Sequence, residues 1–353
     1  MTFADLGLKI PEADYHARSE ISYSQLQNFD REGFDYLDHK DDGLDTPYLT
    51  FGSMVDCLIT QPEGTFDKEF VACEITITDS VAAIIKAIAD STDDTVTQFA
   101  LVEDDVILQA AKDANWYNNW KDATRISKIR EQGSEYFNFL KKNSDKTVVS
   151  KEDMDDAKAC ADTLKNDSIT GAIFATTTDA NIEQVYQLQL LGKFNYTKAA
   201  DGVAEDVSIP VKGMLDFVVV DNTNKTIQPY DLKTSKSVYT FEDSFYKYRY
   251  YLQAEMYTEL LKQAIATTEQ YKDYTIFPYK FIVIDRVHKK PVVFLWNTTS
   301  NVKDKYGQVR KACKKLTFDF NNALTGAKLP YEWEHEIKDG KNSAVTIQNY
   351  YTA

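Results

Sequence analysis

The strongest constraint on the fold is a predicted β-hairpin at residues 211–233, VKGMLDFVVVDNTNKTIQPYDLK. An apolar run containing Asp216 leads into a polar turn, and a second extended run ends in Asp231-Leu232-Lys233. Most of the neighbouring residues are apolar, as in a strand that packs on a core. The hairpin therefore places two carboxylates and a lysine where a core strand is expected.

These three charged side chains are expected to converge. Side chains alternate along a strand, so Asp231 and Lys233 share a face. If the turn is centred between residues 223 and 224, Asp216 lies directly across from Asp231 and projects to the same side. Two neighbouring carboxylates are costly unless a cation or a proton offsets them. Mg²⁺ suits such a pair, since it takes oxygen ligands and lowers the pKa of bound water. The alternative is a solvent-facing hairpin with scattered charges.

The periodicity of the chain changes near residue 182, from helical to strand-like. A capping box at Ser22-Tyr23-Ser24-Gln25 opens the first predicted helix. The predicted helices cover residues 25–37, 48–61, 80–91, 101–131 with a break near 118, 151–165, 241–266 and 300–324. The predicted strands cover residues 183–191, 211–220, 226–233, 279–286 and 291–297.

This order predicts an α/β fold with a mixed β-sheet flanked by helices. Residues 1–170 are expected to form a helical N-terminal part packed on a core of residues 171–353. No Pro/Gly/Ser-rich linker divides the two parts, so we expect one structural unit.

Composition limits the classes of function. The formal net charge of −15 argues against nucleic-acid binding on average, although a narrow basic channel on an acidic body is compatible with it. Four cysteines stand far apart, at positions 57, 73, 160 and 313, so neither a zinc nor an iron–sulfur cage is expected. No apolar stretch reaches membrane-spanning length and no secretory signal is visible, so we expect a cytoplasmic protein without membrane contact.

The predicted helix 241–266 carries a second polar pattern. Gln253 and Tyr257 are four residues apart and share a helical face, with Arg249 one turn earlier. Such a stripe can hold a phosphate or a nucleotide. Taken alone, the pattern favours an ordinary amphipathic helix with a half-buried tyrosine.

Taken in order, Asp216, Asp231-Leu232-Lys233 and the QxxxY helix resemble the PD-(D/E)xK nuclease superfamily, in particular the RecB/RecE-like (exonuclease VIII-like) exonucleases. Residues 22–26 (SYSQL) resemble the SxSxL start of that domain, and residues 51–58 (FGSMVDCL) resemble its FGxxxH helix. Asn181-Ile182-Glu183 resembles the acidic position before the Asp strand. The matches run in family order from about residue 19 to 335 and imply a restriction-endonuclease-like core.

The resemblance also implies roles for individual residues. Asp216 and Asp231 would bind Mg²⁺ or Mn²⁺, Lys233 would assist the attacking water, and Gln253 and Tyr257 would position DNA. The further metal ligands that it implies are Glu183 and Asp56. Asp56 stands where the family has a histidine, so it either adds a hard ligand or marks a position that has lost its role.

Basic residues in three clusters are candidates for contacting DNA. Lys121, Arg125 and Lys128 recur at helical spacing near two tryptophans, and Lys247 and Arg249 precede the QxxxY pattern. Basic side chains beside aromatic rings suit a single strand. The third cluster lies on the predicted C-terminal helix and comprises Lys303, Lys305, Arg310, Lys311, Lys314 and Lys315. Solvated helix faces are the alternative for each cluster.

The sequence thus predicts a Mg²⁺-dependent DNA exonuclease, a hydrolase of phosphodiester bonds, acting in phage-type recombination or replication. The expected setting is a bacterial or phage-infected cell, with a single-strand annealing or replication protein as partner and a homo-oligomer as one possible assembly. Two alternatives stay open: a catalytically inactive DNA-binding or assembly protein of the same fold, and an endonuclease or nickase.

Overall fold

The computed structural model describes residues 1–39, 47–200, 203–304 and 306–329. Residues 61–159 form one compact unit, and the residues before and after them together form a second. The first 60 residues therefore belong with the C-terminal half of the chain, and the boundaries fall at residues 60 and 160 instead of 170. No helix in the described ranges is both long enough and apolar enough to cross a membrane.

The described residues contain both helices and strands, and the fold is mixed α/β. The helices are α1 (Glu12–His16), α2 (Tyr23–Glu32), α3 (Pro47–Thr60), α4 (Thr65–Glu69), α5 (Asp79–Ser91), α6 (Asp104–Asp113), α7 (Asp122–Lys142), α8 (Lys151–Asn166), α9 (Thr170–Phe174), α10 (Phe241–Lys247), α11 (Tyr250–Ala266) and α12 (Cys313–Leu324). The strands are β1 (Ile21–Ser22), β2 (Phe70–Cys73), β3 (Thr147–Ser150), β4 (Ile182–Ala200), β5 (Val203–Asp221), β6 (Thr226–Ser235), β7 (Thr275–Ile276), β8 (Tyr279–Asp285) and β9 (Pro291–Trp296).

The larger unit is built on a mixed sheet of seven strands in its described part, with the central order β1-β5-β6-β8-β9. β4 pairs with β5 and β7 pairs with β6. The β5–β6 and β8–β9 pairs are antiparallel, whereas β6 and β8 run parallel. Helices α3, α11 and α12 pack against this sheet. The predicted mixed sheet flanked by helices is therefore confirmed.

The register of the β5–β6 hairpin agrees with the predicted one. Asp221 pairs with Thr226 and Phe217 with Tyr230, which centres the turn between residues 223 and 224. The ladder ends at Phe217, one residue before the position where Asp216 would pair with Asp231. Nearer the N-terminus of β5, the same edge has a different neighbour: Val211 and Lys212 pair in parallel with β1. Residues 213–216 lie between β6 and β1, at a fork in the sheet.

The main hydrophobic core joins the sheet to α2, α11 and α12. α11 is apolar around most of its circumference, as a helix enclosed by other elements must be. Its fully buried residues include Leu252, Ala254, Met256 and Leu260. The capping box at the start of α2 is formed as predicted, with Ser22 as the N-cap and Gln25 as its reciprocal partner. The packing of the buried α11 side chains gives this helix a fixed position beside β4 and β5.

Several predicted helices are shorter than expected or broken. The predicted helix 241–266 is interrupted at Tyr248 and Arg249, and Arg249 adopts a left-handed conformation with φ of 55°. The predicted helix 300–324 forms only at Cys313–Leu324. Before it, Asp304 accepts backbone hydrogen bonds from Tyr306 and Gln308 in a turn that is not helical.

Other boundaries differ as well. The predicted helical region 101–131 consists of α6 and α7 with residues 114–121 between them, and α7 extends to Lys142. The first predicted helix ends at Glu32 and continues as a 3-10 helix, Gly33–Asp38. Residues 40–46 lie outside the described residues, as does Lys305.

The smaller unit, residues 61–159, has its own core. Helices α5, α6 and α7 enclose it, and its fully buried members include Ile85, Ile129 and Phe137. β2 and β3 form a separate parallel pair. Gly133 allows α5 and α7 to approach closely, since a Cβ there would lie 2.2 Å from Ile85.

Candidate active site

Asp216 lies at the fork in the sheet, where β6 leaves β5. Its Oδ2 accepts a hydrogen bond of 2.8 Å from the backbone N–H of Leu232 on β6. The carboxylate therefore bridges the two strands at the point where their ladder has ended. A side chain in this position is held by the backbone of the strand that carries Asp231.

The alternation of β5 is interrupted at Asp216. Leu215 and Val218 both belong to the main core, although residues three apart on a regular strand face opposite sides. Phe217 lies outside that cluster and stacks on Tyr186 of β4, with ring centroids 4.4 Å apart. On β4, Gln187 occupies the corresponding position and has a φ of 50°. A simple period-two reading of the strand therefore fails at the site itself.

Asp231 is fully buried and has two side-chain partners. Lys233 Nζ lies 2.5 Å from Asp231 Oδ2, which confirms that the two residues share a face. Gln253 of α11 donates from Nε2 to Asp231 Oδ1 at 2.6 Å. The first residue of the QxxxY pattern thus contacts the DxK carboxylate directly.

Tyr257, one helical turn after Gln253, is also buried beside the strand. A Cβ on Gly213 would lie 2.7 Å from the Tyr257 ring, so this position of β5 requires glycine for α11 to approach. Burial raises the pKa of the Tyr257 hydroxyl, and the charges of Asp231 and Asp216 raise it further. Tyr257 therefore stays protonated and can act only as a neutral hydroxyl.

Asp56 reaches the same cluster from α3. Its Oδ2 accepts hydrogen bonds from Gln187 Nε2 at 2.9 Å and from Thr60 Oγ1 at 3.2 Å. Gln187 Nε2 also lies 2.8 Å from Thr60 Oγ1, which closes a three-membered network. Asp56 Oδ1 is buried and has no hydrogen-bond partner within the described residues. One oxygen of this carboxylate is thus fixed while the other is unsatisfied.

The three carboxylates affect one another electrostatically. The pKa of Asp56 is raised from 3.8 to about 6 by burial and by the charge of Asp231. Burial raises the pKa of Asp231 as well, against the lowering effect of Lys233. The pKa of Asp216 is raised well above its ordinary value by burial, then by the charges of Asp231 and Asp56. Each carboxylate therefore lacks a sufficient counter-charge.

Lys233 is the cation that faces this acidic cluster. Burial alone would lower the pKa of Lys233, but the charges of Asp231 and Asp216 raise it overall. Its ammonium also lies 4.9 Å from the centre of the Tyr250 ring. Lys233 is consequently held in the charged form. If all three carboxylates are ionised, the cluster together with Lys233 has a formal charge of −2.

Glu183 is not part of this cluster, contrary to the implied role. Its carboxylate accepts from Phe3 N at 2.6 Å, Asn222 Nδ2 at 3.0 Å and Tyr271 Oη at 3.2 Å. It precedes Gln187 by four residues on β4, which corresponds to about 13 Å along a strand. Glu183 joins the N-terminus to the sheet. Gln187, which the sequence analysis missed, is the β4 residue that contacts the site.

The three basic residues predicted to contact DNA from α7 and its N-terminus differ in how exposed and how paired their side chains are. Arg125 is buried, with 3% of its surface exposed, and donates to Asn118, so the predicted basic stripe on α7 is wrong at this position. Lys128 pairs with Glu131, whereas Lys121 is exposed. All three belong to the smaller unit.

In the larger unit the basic residues are also partly committed. Arg249 forms a 2.7 Å ion pair with Asp30, whereas Lys247 is exposed. Of the C-terminal cluster, Arg310 pairs with Asp304 and Lys315 with Asp319. Lys303 and Lys311 precede the observed helix α12, and Lys314 is exposed on it.

The donor chemistry of the cluster fits a hard divalent cation. Asp56, Asp216 and Asp231 offer only carboxylate oxygens, their pKa values are raised, and Asp56 Oδ1 is unsatisfied. Among the described side chains, no group of three or more His, Cys, Asp or Glu residues is already gathered as a metal cage. Asp231 instead pairs with Lys233.

In comparisons with known proteins, neither a protein-family model nor a curated protein sequence matches this chain significantly.

Proposed function

We propose that this protein is a Mg²⁺-dependent deoxyribonuclease with a PD-(D/E)xK, restriction-endonuclease-like core, acting as an exonuclease. The observation that carries the proposal is that Asp56, Asp216 and Asp231, from three different elements, are near enough to raise one another's pKa values, while the Lys233 ammonium contacts Asp231. An acidic cluster can hold the metal ion that assists phosphodiester hydrolysis, and an adjacent ammonium can stabilise the negative charge that develops on the phosphate.

Asp56, Asp216 and Asp231 would hold the metal, with Mn²⁺ as a substitute. When bound, the metal polarises the phosphate and lowers the pKa of a water molecule. Asp216 is oriented by the Leu232 N–H, Asp231 by Gln253, and Asp56 by Gln187 and Thr60. These hydrogen bonds fix the three carboxylates before substrate arrives, which lowers the reorganisation needed during the reaction.

Lys233 would act as a cation rather than as a base. Its pKa is raised by Asp231 and Asp216, so the side chain carries its proton at neutral pH. An ammonium can orient the attacking water and donate to a phosphate oxygen as charge develops there. Tyr257, protonated and buried near both carboxylates, is suited to donate a hydrogen bond.

The test is cleavage of end-labelled linear DNA and of circular DNA, each with Mg²⁺ or with EDTA. An exonuclease degrades linear DNA only, and only with Mg²⁺. Nicking of circles would instead indicate an endonuclease, and binding without cleavage would indicate a non-catalytic protein.

Lys233→Ala tests the assignment of residues. Loss of its charge stabilisation should lower the rate by about 10²–10³-fold. Lys272→Ala is the matched control, because Lys272 is an exposed lysine paired with Glu269. The melting transition of each variant shows whether it folds. Cleavage by folded Lys233→Ala at the wild-type rate would refute the assignment.

A further inference from the structure

The break between α10 and α11 is held in a strained conformation beside the candidate site. Arg249 has φ of 55° and ψ of 36°, a left-handed conformation that is unfavourable for a non-glycine residue. Two contacts from α2 hold it there. Asp30 pairs with Arg249 Nε at 2.7 Å, and the Tyr23 hydroxyl donates to the backbone carbonyl of Tyr248.

The same break connects the site to the surface through aromatic rings. The Lys233 ammonium lies 4.9 Å from the Tyr250 ring centre. The Tyr250 and Tyr248 rings follow at 5.9 Å between centroids, tilted by 34°. Lys247 Nζ then lies 5.1 Å from the Tyr248 ring centre. Two adjacent rings therefore lie between the buried ammonium of Lys233 and the outer ammonium of Lys247.

Exposure increases along this series. Tyr250 is half-buried, because its ring stacks on Phe241 and Phe281 in the core. Tyr248 is 37% exposed, and Lys247 is exposed. If residues 241–266 formed one helix, the backbone at Tyr248 would be in a regular turn. The break at Arg249 thus leaves Tyr248 outside both helices, at the exposed end of the series that begins at Lys233.

We propose that Tyr248 is a stacking platform for an unpaired base adjacent to the scissile phosphate, and that Lys247 contacts the phosphate of that nucleotide. This inference rests on the proposed nuclease function and specifies its substrate as a single-stranded segment. Every nucleobase can stack on an aromatic ring, whereas within a duplex its faces are already stacked on neighbouring bases. A lysine beside the ring supplies charge for the backbone.

The experiment measures binding of a fluorescent single-stranded oligonucleotide by anisotropy, in EDTA so that metal-dependent cleavage is prevented. Tyr248→Ala should weaken this binding about tenfold, the value expected for one stacked base. Tyr248→Phe keeps the ring and should bind like the wild type. A blunt duplex of equal length should bind wild type and Tyr248→Ala equally.

Tyr239→Ala is the matched control. Tyr239 is also an exposed tyrosine with a lysine against its ring, since Lys290 Nζ lies 5.2 Å from the ring centre. The aromatic series from Lys233 runs through Tyr250 and Tyr248 instead, so Tyr239→Ala should retain single-strand affinity. An oligonucleotide with abasic sites should bind the wild type more weakly and should abolish the difference between wild type and Tyr248→Ala.

Three results would overturn the inference. These are unchanged single-strand binding by Tyr248→Ala, an equal loss on single strand and duplex, or an equal loss in Tyr239→Ala. If wild type cleaves DNA with Mg²⁺ while any of these results is obtained, only the platform is refuted. If wild type neither binds nor cleaves DNA, the proposed function fails as well.

Discussion

Replacing Asp56 by asparagine should stabilise the metal-free protein at neutral pH. The folded protein raises the pKa of Asp56 from 3.8 to about 6, chiefly because the carboxyl group is buried. Folded Asp56 therefore binds its proton more tightly than unfolded Asp56 does. The free energy of unfolding consequently falls as the pH rises from about 4 to 6, and the full penalty persists above pH 6.

The magnitude follows from the size of the shift. A change of about two pKa units at about 1.4 kcal/mol each corresponds to at most about 3 kcal/mol. Asparagine carries no charge, and its amide oxygen can still accept from Gln187 and Thr60 as Asp56 Oδ2 does. Asp56→Asn should therefore gain about 1–3 kcal/mol at pH 8 and almost nothing at pH 4.

The assay is urea unfolding in EDTA at several pH values between 4 and 8, repeated at pH 8 with Mg²⁺. A metal that binds only the folded state stabilises it, so wild type should gain more from Mg²⁺ than the variant does. Asp273→Asn replaces an exposed carboxylate in the same unit and serves as the control. It should change neither the pH profile nor the response to Mg²⁺.

Two results would refute this reasoning. If Asp56→Asn is less stable than wild type at pH 8, Asp56 is not under electrostatic strain in the folded protein. If its effect is the same at pH 4 and pH 8, ionisation of Asp56 is not the cause. Equal stabilisation of wild type and variant by Mg²⁺ would exclude Asp56 as a ligand.

Two further predictions concern packing around the site. Gln187→Leu removes the donor to Asp56 and should lower the unfolding free energy by about 1–2 kcal/mol. It should also raise the Mg²⁺ concentration needed for cleavage, and an unchanged Mg²⁺ dependence would contradict the role of Gln187. Gly213→Ala places a methyl group 2.7 Å from Tyr257 and should lower the free energy of unfolding by about 1–3 kcal/mol, measured by thermal or urea unfolding. Gly52→Ala, with its nearest contact at 3.4 Å, should not destabilise the protein, and equal effects of the two variants would show that β5 can shift away from α11.

Features that depend on local periodicity could be predicted from the chain alone. The turn of the β5–β6 hairpin is centred at the predicted residues, and Lys233 meets Asp231 on the predicted face. The Ser22 capping box is similarly local. Each follows from a repeat of two residues in strands or from a hydrogen bond within one turn, so distant parts of the chain are not needed.

The same periodicity was insufficient where tertiary contacts override it. Residues 241–266 have a helical pattern throughout, yet the helix is interrupted at Arg249, which pairs with Asp30, 219 residues earlier in the chain. Arg125 is spaced as part of a basic stripe but is buried in the smaller unit. Propensity cannot reveal such changes, since they depend on which segments become neighbours after folding.

The amino-acid sequence by itself determined the turn of the β5–β6 hairpin and the shared face of Asp231 and Lys233, because their geometry is contained in consecutive residues. Only the tertiary structure decided which residues complete the cluster. Gln187 contacts Asp56 across 131 residues of chain, while Glu183, four residues before it, anchors the N-terminus instead. The position of a side chain in the sequence does not specify its partner when packing brings remote segments together, and the acidic cluster is assembled by such packing.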